Sequence, residues 1–125
     1  MGRERKVLGN LGEALASEAI IKKGYRIIAK NERTPFGEID IIAKHGRSIV
    51  FVEVKTRLTS SLGPAYLSVT RTKMRHIVKN ALYYLVRRGL TNTLWRIDVV
   101  SIKLDSKYSI EEFEIIENAV QGENL

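Results

Sequence analysis

Two neighbouring stretches of this sequence alternate in a way that few folds accommodate. Gly37-Glu-Ile-Asp-Ile-Ile-Ala43 and Ser48-Ile-Val-Phe-Val-Glu-Val-Lys-Thr56 flank the turn residues His45-Gly46, which predicts a β-hairpin. Both strands are rich in residues that demand burial, yet Asp40 interrupts one, and Glu53 and Lys55 interrupt the other. Charged side chains among Ile39, Ile41, Val50, Val52 and Val54 need a compensating environment. With His45-Gly46 as a two-residue turn, Lys44 faces Arg47, Asp40 faces Phe51 and Glu38 faces Glu53. Glu38, Asp40, Glu53 and Lys55 then project from one side, and the other side is uniformly apolar and packs on a helix. Asp40 and Glu53 become diagonal neighbours at roughly 7–8 Å, close enough to share one cation. A hard divalent ion such as Mg²⁺ takes carboxylate and water oxygens, so the cluster needs neither Cys nor His to hold one. A half-exposed hairpin carrying ordinary surface ion pairs is the competing account of the same spacing.

Around this hairpin the chain reads as α-β-β-β-α-β, an α/β arrangement with helices covering a mixed sheet. Asn10 is placed to cap a first helix running to Lys23, with Leu11, Leu15 and Ala19 on one face and Gly24 just past its end. A strand from Tyr25 to about Ala29 follows. Met74, Ile77, Val78, Ala81, Tyr84 and Leu85 form a helical stripe ending at Gly89, and Leu94 to Leu104 is a β-branched-rich strand. Residues 110–120 favour a last strand over a short helix. The turn-rich residues 59–64, Thr-Ser-Ser-Leu-Gly-Pro, are long enough for a flap beside a site. At 125 residues the chain is sized for a single domain spanning 1–125.

Charge narrows the class of partner. The net charge is +7, with 21 Lys plus Arg against 14 Asp plus Glu, and a polyanion such as nucleic acid is the leading candidate. The distribution matters more than the total: residues 69–104 hold 8 basic and 1 acidic side chain, and residues 105–125 hold 1 and 6. The predicted helix from Arg71 to Arg88 has no acid, and Arg71, Lys73, Arg75 and Lys79 offer a face that follows a phosphate backbone with little sequence discrimination. A solvated helix surface is the alternative, and for Lys73 the two readings are equally open. Tyr83 is the one candidate for base stacking on that face, which argues against a single-strand stacking platform. The absence of cysteine excludes disulfides, zinc knuckles and thiol nucleophiles. No apolar run approaches a membrane span and no signal-type stretch follows the charged start, so a cytoplasmic protein without a membrane partner is expected. His45 and His76 lack partner spacing for a metal or triad, and neither is expected to be catalytic. Asp98 and Arg96 are expected to serve structure.

The run Gly37-Glu-Ile-Asp40 … Val50-Phe-Val-Glu53-Val-Lys55-Thr-Arg57 resembles the PD-(D/E)XK nuclease signature, and in detail the YraN-like family of predicted endonucleases, relatives of archaeal Holliday-junction resolvases. Gly9-Asn-Leu-Gly12-Glu13-Ala14, Asn31-Glu-Arg33, Val69, Lys73, Ala81, Tyr84-Leu85 and Arg96-Ile-Asp98-Val-Val100 extend the likeness over about residues 7–120. A Glu38-Ile-Asp40 segment stands where the signature has a Pro-Asp pair. The resemblance implies a restriction-endonuclease-like αβββαβ core and Mg²⁺- or Mn²⁺-dependent hydrolysis of phosphodiester bonds, most of all in DNA of branched or otherwise structured form. It implies Asp40, Glu53 and Glu13 as metal-holding and catalytic acids, with Lys55 orienting the attacking water or neutralising developing charge. Arg57, just past Lys55, is placed to guide the substrate strand, though an Arg after a strand is unremarkable. Glu13 has a second reading, as a helix-stabilising acid in the first turn. Likeness to resolvases also implies a homodimer, for which no apolar run here supplies an interface. A nucleic-acid-binding module with a nuclease-like fold and no catalysis is the principal alternative. A basic interaction or ribosome-associated subunit is a third, and it leaves the convergence of Asp40, Glu53 and Lys55 unexplained.

Overall fold

The structure is a computed structural model, and it describes residues 2–59, 66 and 69–120. Its elements are α1 (Gly2–Lys22), β1 (Arg26–Thr34), β2 (Gly37–His45), β3 (Ser48–Leu58), α2 (Arg71–Arg87), β4 (Trp95–Leu104) and β5 (Ile110–Ile116). The order bears out the expected αβββαβ core, and the acidic segment adds the last strand. The five strands form one mixed sheet in the order β1-β2-β3-β4-β5. All neighbours are antiparallel except β3 and β4, which run parallel and are joined by the crossover through α2. Residues 60–64 of the expected flap lie outside the described residues.

Both faces of the sheet are buried. On one, Ile41, Ala43, Val50, Val52, Val100 and Ile102 pack with Ala16 and Ile20 of α1. On the other, Ile42, Ile49, Phe51 and Ile97 pack with Ala81, Tyr84 and Leu85 of α2. Cover on both faces counts against the competing account of a half-exposed hairpin. Asp40, Glu53 and Lys55 are half-buried at the open end of the hairpin ladder, where Lys55 also borders α1. Ile39 also departs from the expected alternation, packing with Ile42 and Phe51 under α2.

The hairpin register differs by two residues from the expected one. His45 pairs with Ser48 and Ile41 with Val52, so the loop is Gly46-Arg47. The reason is backbone geometry: Gly46 has φ 61°, and glycine at the first loop position is what a type II′ hairpin turn requires. An even shift preserves which side chains share a face. It moves Asp40 from diagonal to directly across from Glu53, one step beyond the last paired rung, and Glu38 instead lies beside Arg33 of β1.

α1 begins at Gly2, well before the expected cap at Asn10. The sequence Arg3-Glu-Arg-Lys6 favours helix and contains no breaker, so Asn10 becomes an interior residue. Glu13 therefore sits mid-helix, and the helix-terminus explanation for it does not hold. β1 also runs further than expected, to Thr34, because it pairs along the whole of β2. α2 starts where Thr70 caps it, its hydroxyl accepting the Lys73 N–H at 3.2 Å.

Candidate functional site

β2 and β3 part company after Ile41 and Val52, and their divergence builds the site. Where the ladder stops, the Val54 N–H would lose its partner, a cost of about 1–3 kcal/mol for a buried donor. The Asp40 side chain replaces that partner, its Oδ2 accepting the Val54 N–H at 2.8 Å. One residue thus terminates the pairing and fixes its own carboxylate between the strands. Glu53 hydrogen-bonds with Asp40 and lies 3.5 Å, through Oε1, from Lys55 Nζ.

The electrostatics of this pair are costly. Burial pushes the Asp40 carboxyl up to about 8, and the nearby Glu53 and Glu13 charges add to the rise, against the pull of the Val54 N–H and Lys55. Burial raises the Glu53 carboxyl as well, with Lys55, Asp40 and the Lys73 charge opposing it. Two carboxyls forced together out of water share a proton until a cation replaces it.

α1 brings Glu13 to the same place. Gly12 lies against β3 so tightly that a Cβ there would fall 1.8 Å from Thr56 Oγ1 and 2.9 Å from Thr56 Cβ. This close approach seats the helix turn bearing Glu13 on the sheet. The Asn31 amide nitrogen then donates to Glu13 Oε1 at 2.8 Å and to Glu38 Oε1 at 3.2 Å. Asn31 reaches both from φ 51°, a left-handed conformation that asparagine tolerates better than most residues. The sequence alone assigns Asn31 no role. Its signal is an asparagine inside a predicted extended segment, a residue type that strands disfavour.

Asp40, Glu53 and Lys55 are therefore brought together, and Glu13 joins through Asn31 and its field on Asp40. Among the described residues no three of His, Cys, Asp and Glu form a group ready to enclose a metal. Two carboxylates nevertheless suit Mg²⁺ or Mn²⁺, since such ions keep several waters and bind through one or two protein carboxylates plus substrate phosphates. The donor set is all oxygen, which is what a hard cation prefers.

The basic residues separate. Lys55 and Arg57 share a groove of about 540 Å³ with Arg5 and Gly9 of α1. Arg5 went unnoticed because the helix was expected to begin later. Lys73 lies near enough for its charge to act on Glu53. Arg71 and Arg75 are exposed on α2, and Lys79 turns to the Phe36 ring, 5.9 Å from its centroid.

Asp98 belongs to another network. It is fully buried, accepts from Tyr25 Oη at 2.7 Å, Arg96 Nε at 2.9 Å and the Asn118 N–H at 2.9 Å. His45 stacks on Tyr25 with centroids 4.2 Å apart, and its Nδ1 lies 2.8 Å from the Arg96 guanidinium. Every strong acceptor here is engaged within the protein, the pattern of a structural cluster. His76 is exposed on α2.

No described helix is long and apolar enough to cross a membrane. Comparison with known proteins finds close relatives over nearly the full length. A protein of Caldicellulosiruptor saccharolyticus is 42% identical over 115 residues, covering 92% of this chain and 98% of the relative. One from Moorella thermoacetica is 40% identical over 119 residues, covering 95% and 99%. One from Thermodesulfovibrio yellowstonii is 48% identical over 112 residues, covering 90% and 94%. All three are described as UPF0102 proteins, and the family model matches residues 12–102, the span from the Gly12 contact through β4. The chain belongs to the uncharacterised protein family UPF0102.

Proposed function

We propose that this protein is a metal-dependent phosphodiesterase acting on nucleic acid, above all DNA, with a PD-(D/E)XK nuclease-like site. The observation that carries this reading is the Asp40–Glu53 pair, half-buried where β2 and β3 diverge, with Lys55 Nζ 3.5 Å from Glu53. A purely structural role does not account for it: two raised carboxyls in contact cost stability, whereas the Asp98 cluster shows how this fold satisfies an acid it merely buries.

Bound Mg²⁺ or Mn²⁺ supplies a Lewis acid for a phosphate oxygen and lowers the pKa of a coordinated water. Asp40 and Glu53 would hold it. Asp40 is oriented by the Val54 N–H, which engages one oxygen and leaves the other for the ion. The Lys55 ammonium orients the attacking water and offsets negative charge developing on the phosphate. Glu13, held by Asn31, adds a second acceptor for water on the α1 side. Arg5 and Arg57 line the groove that continues from Lys55 and receive the adjoining phosphates. Cutting both strands of a duplex or junction extends the reading to a homodimer, measured by light scattering of the complex with such a substrate.

The test is cleavage of flapped, branched, duplex and single-stranded DNA with Mg²⁺ or Mn²⁺. Metal-dependent cleavage of some substrate is expected, with Lys55→Ala retaining binding and losing turnover by about 10²-fold or more. No metal-dependent cleavage across the panel, or full turnover in Lys55→Ala, overturns the enzyme reading. Binding without cleavage or metal heat would identify a non-catalytic module.

A further inference from the structure

A second cleft, outside the acid pair and its groove, lies between the end of β1 and the C-terminal half of α2. It encloses about 540 Å³ and is lined by Glu32, Arg33, Thr34, Tyr83, Arg87 and Arg88. Three arginines against one carboxylate in the lining give a charge balance that suits an anion. Arginine is the side chain best matched to phosphate, through its planar donor fork. Tyr83 gives the cleft an aromatic wall. Phe36, 48% exposed, stands beside the cleft and meets Tyr83 edge to face with centroids 6.2 Å apart. Lys79 lies 5.9 Å from the Phe36 centroid, and the Arg88 guanidinium 5.2 Å from that of Tyr84.

One wall is fixed. The Thr34 hydroxyl hydrogen-bonds the buried Asn80 side chain of α2 and accepts the Phe36 N–H at 3.0 Å. These contacts pin the β1–β2 turn to α2, so the backbone frame of the cleft is set before any ligand arrives. Preorganisation of this kind lowers the entropic cost of binding.

We propose that this cleft binds an unpaired nucleotide of a nucleic-acid strand, the base against Tyr83 and Phe36 and the phosphates on Arg33, Arg87 and Arg88. The proposal rests on the nucleic-acid reading above and specifies its substrate. α2 connects the two places: Lys73 acts on Glu53, and Tyr83 lies ten residues further along, about 15 Å at the helical rise of ~1.5 Å per residue. That distance is about four phosphate steps of a duplex strand at ~3.4 Å each. The preferred substrate is then a nucleic acid with a single-stranded segment a few nucleotides from the bond to be cut, and the aromatic cleft replaces the expectation that this helix lacks a stacking platform.

The experiment is fluorescence anisotropy with the full chain in EDTA, using a short labelled oligothymidine, an abasic strand of the same length and a duplex. Tyr83→Ala is expected to weaken oligothymidine binding by about 5- to 150-fold, the range for loss of one stacked base, and to leave the abasic strand unchanged. Tyr83→Phe binds as the unaltered protein does. Exposed Arg87 carries the second variant: Arg87→Ala weakens both single strands and lowers the salt slope by about 0.7. Duplex affinity is unchanged in each. Equal loss on oligothymidine and abasic strand in Tyr83→Ala overturns stacking, and single-strand affinity indifferent to Arg87→Ala overturns the cleft as a phosphate site. Either result with metal-dependent cleavage intact removes the cleft alone, whereas no binding of any nucleic acid removes the nucleic-acid reading and the cleft with it.

Discussion

Lowering the charge of Asp40 should make the metal-free protein more stable at neutral and alkaline pH. The carboxyl is pushed from its ordinary 3.8 up to about 8 in the folded protein. The folded chain therefore keeps a proton that the unfolded chain releases above pH ~4, and unfolding is favoured as pH rises. The stabilisation is fully present below the unfolded value, falls by about 1.4 kcal/mol per pH unit, and is spent once pH passes the folded value. From pH 5 to pH 8 the interval amounts to about 4 kcal/mol as an upper bound, since Glu53 shares the proton. At ~3 °C per kcal/mol for a chain of this length, Tm falls by about 12 °C. Asp40→Asn keeps an oxygen for the Val54 N–H and cannot ionise, so its profile should be nearly flat over that interval. The assay is thermal unfolding in EDTA at half-unit pH steps, comparing the difference between the two proteins, which cancels other titrating groups. A wild-type Tm that is level or rising from pH 5 to pH 8, or the same decline in Asp40→Asn, would refute the account of the acid pair.

Other parts of the structure make their own demands. Gly12→Ala gains helix propensity of about 1 kcal/mol but drives a methyl into the branched Thr56 side chain. A net loss of about 1–3 kcal/mol is expected in denaturant unfolding, and an unchanged midpoint would show that α1 is not seated by this contact. Asp98→Ala leaves the Arg96 guanidinium, the Tyr25 hydroxyl and the Asn118 N–H without their acceptor, and should cost about 3–5 kcal/mol, read in the same unfolding experiment. Mn²⁺ affinity should rise with pH up to about 8, because the ion displaces the proton the pair shares; calorimetry in buffers of different ionisation enthalpy measures the protons released.

Much of the candidate site was legible because charge in an apolar strand needs a compensating environment, though surface ion pairs explain the spacing alone about as well. Asp40, Glu53 and Lys55 were found that way, and an even register error did no harm to their common face. What the sequence concealed was tertiary. Ile42, Ile49 and Phe51 looked like the outer face of a hairpin because alternation reports a buried face, not how many helices cover the sheet. Asn10 mimicked a helix cap because capping chemistry is local, while the uninterrupted helix formers before it decided the matter, and Arg5 was lost with them. Asn31 of β1 meets Glu13 of α1, and Phe36 of the β1–β2 turn meets Tyr83 of α2, partners that only the tertiary fold brings together. The resemblance of the motif series pointed to the fold and to the family, and the diverging strands supply the physical reason an acid is tolerated at Asp40.

The most direct measurement is a crystal structure with Mn²⁺ soaked into the protein, recorded for anomalous scattering. The account predicts a peak between Asp40 and Glu53, at about 2.0–2.3 Å from an oxygen of each, with the Val54 N–H still donated to Asp40. Asp40 and Glu53 remaining in hydrogen-bonded contact at saturating Mn²⁺, with no peak between them, would contradict it.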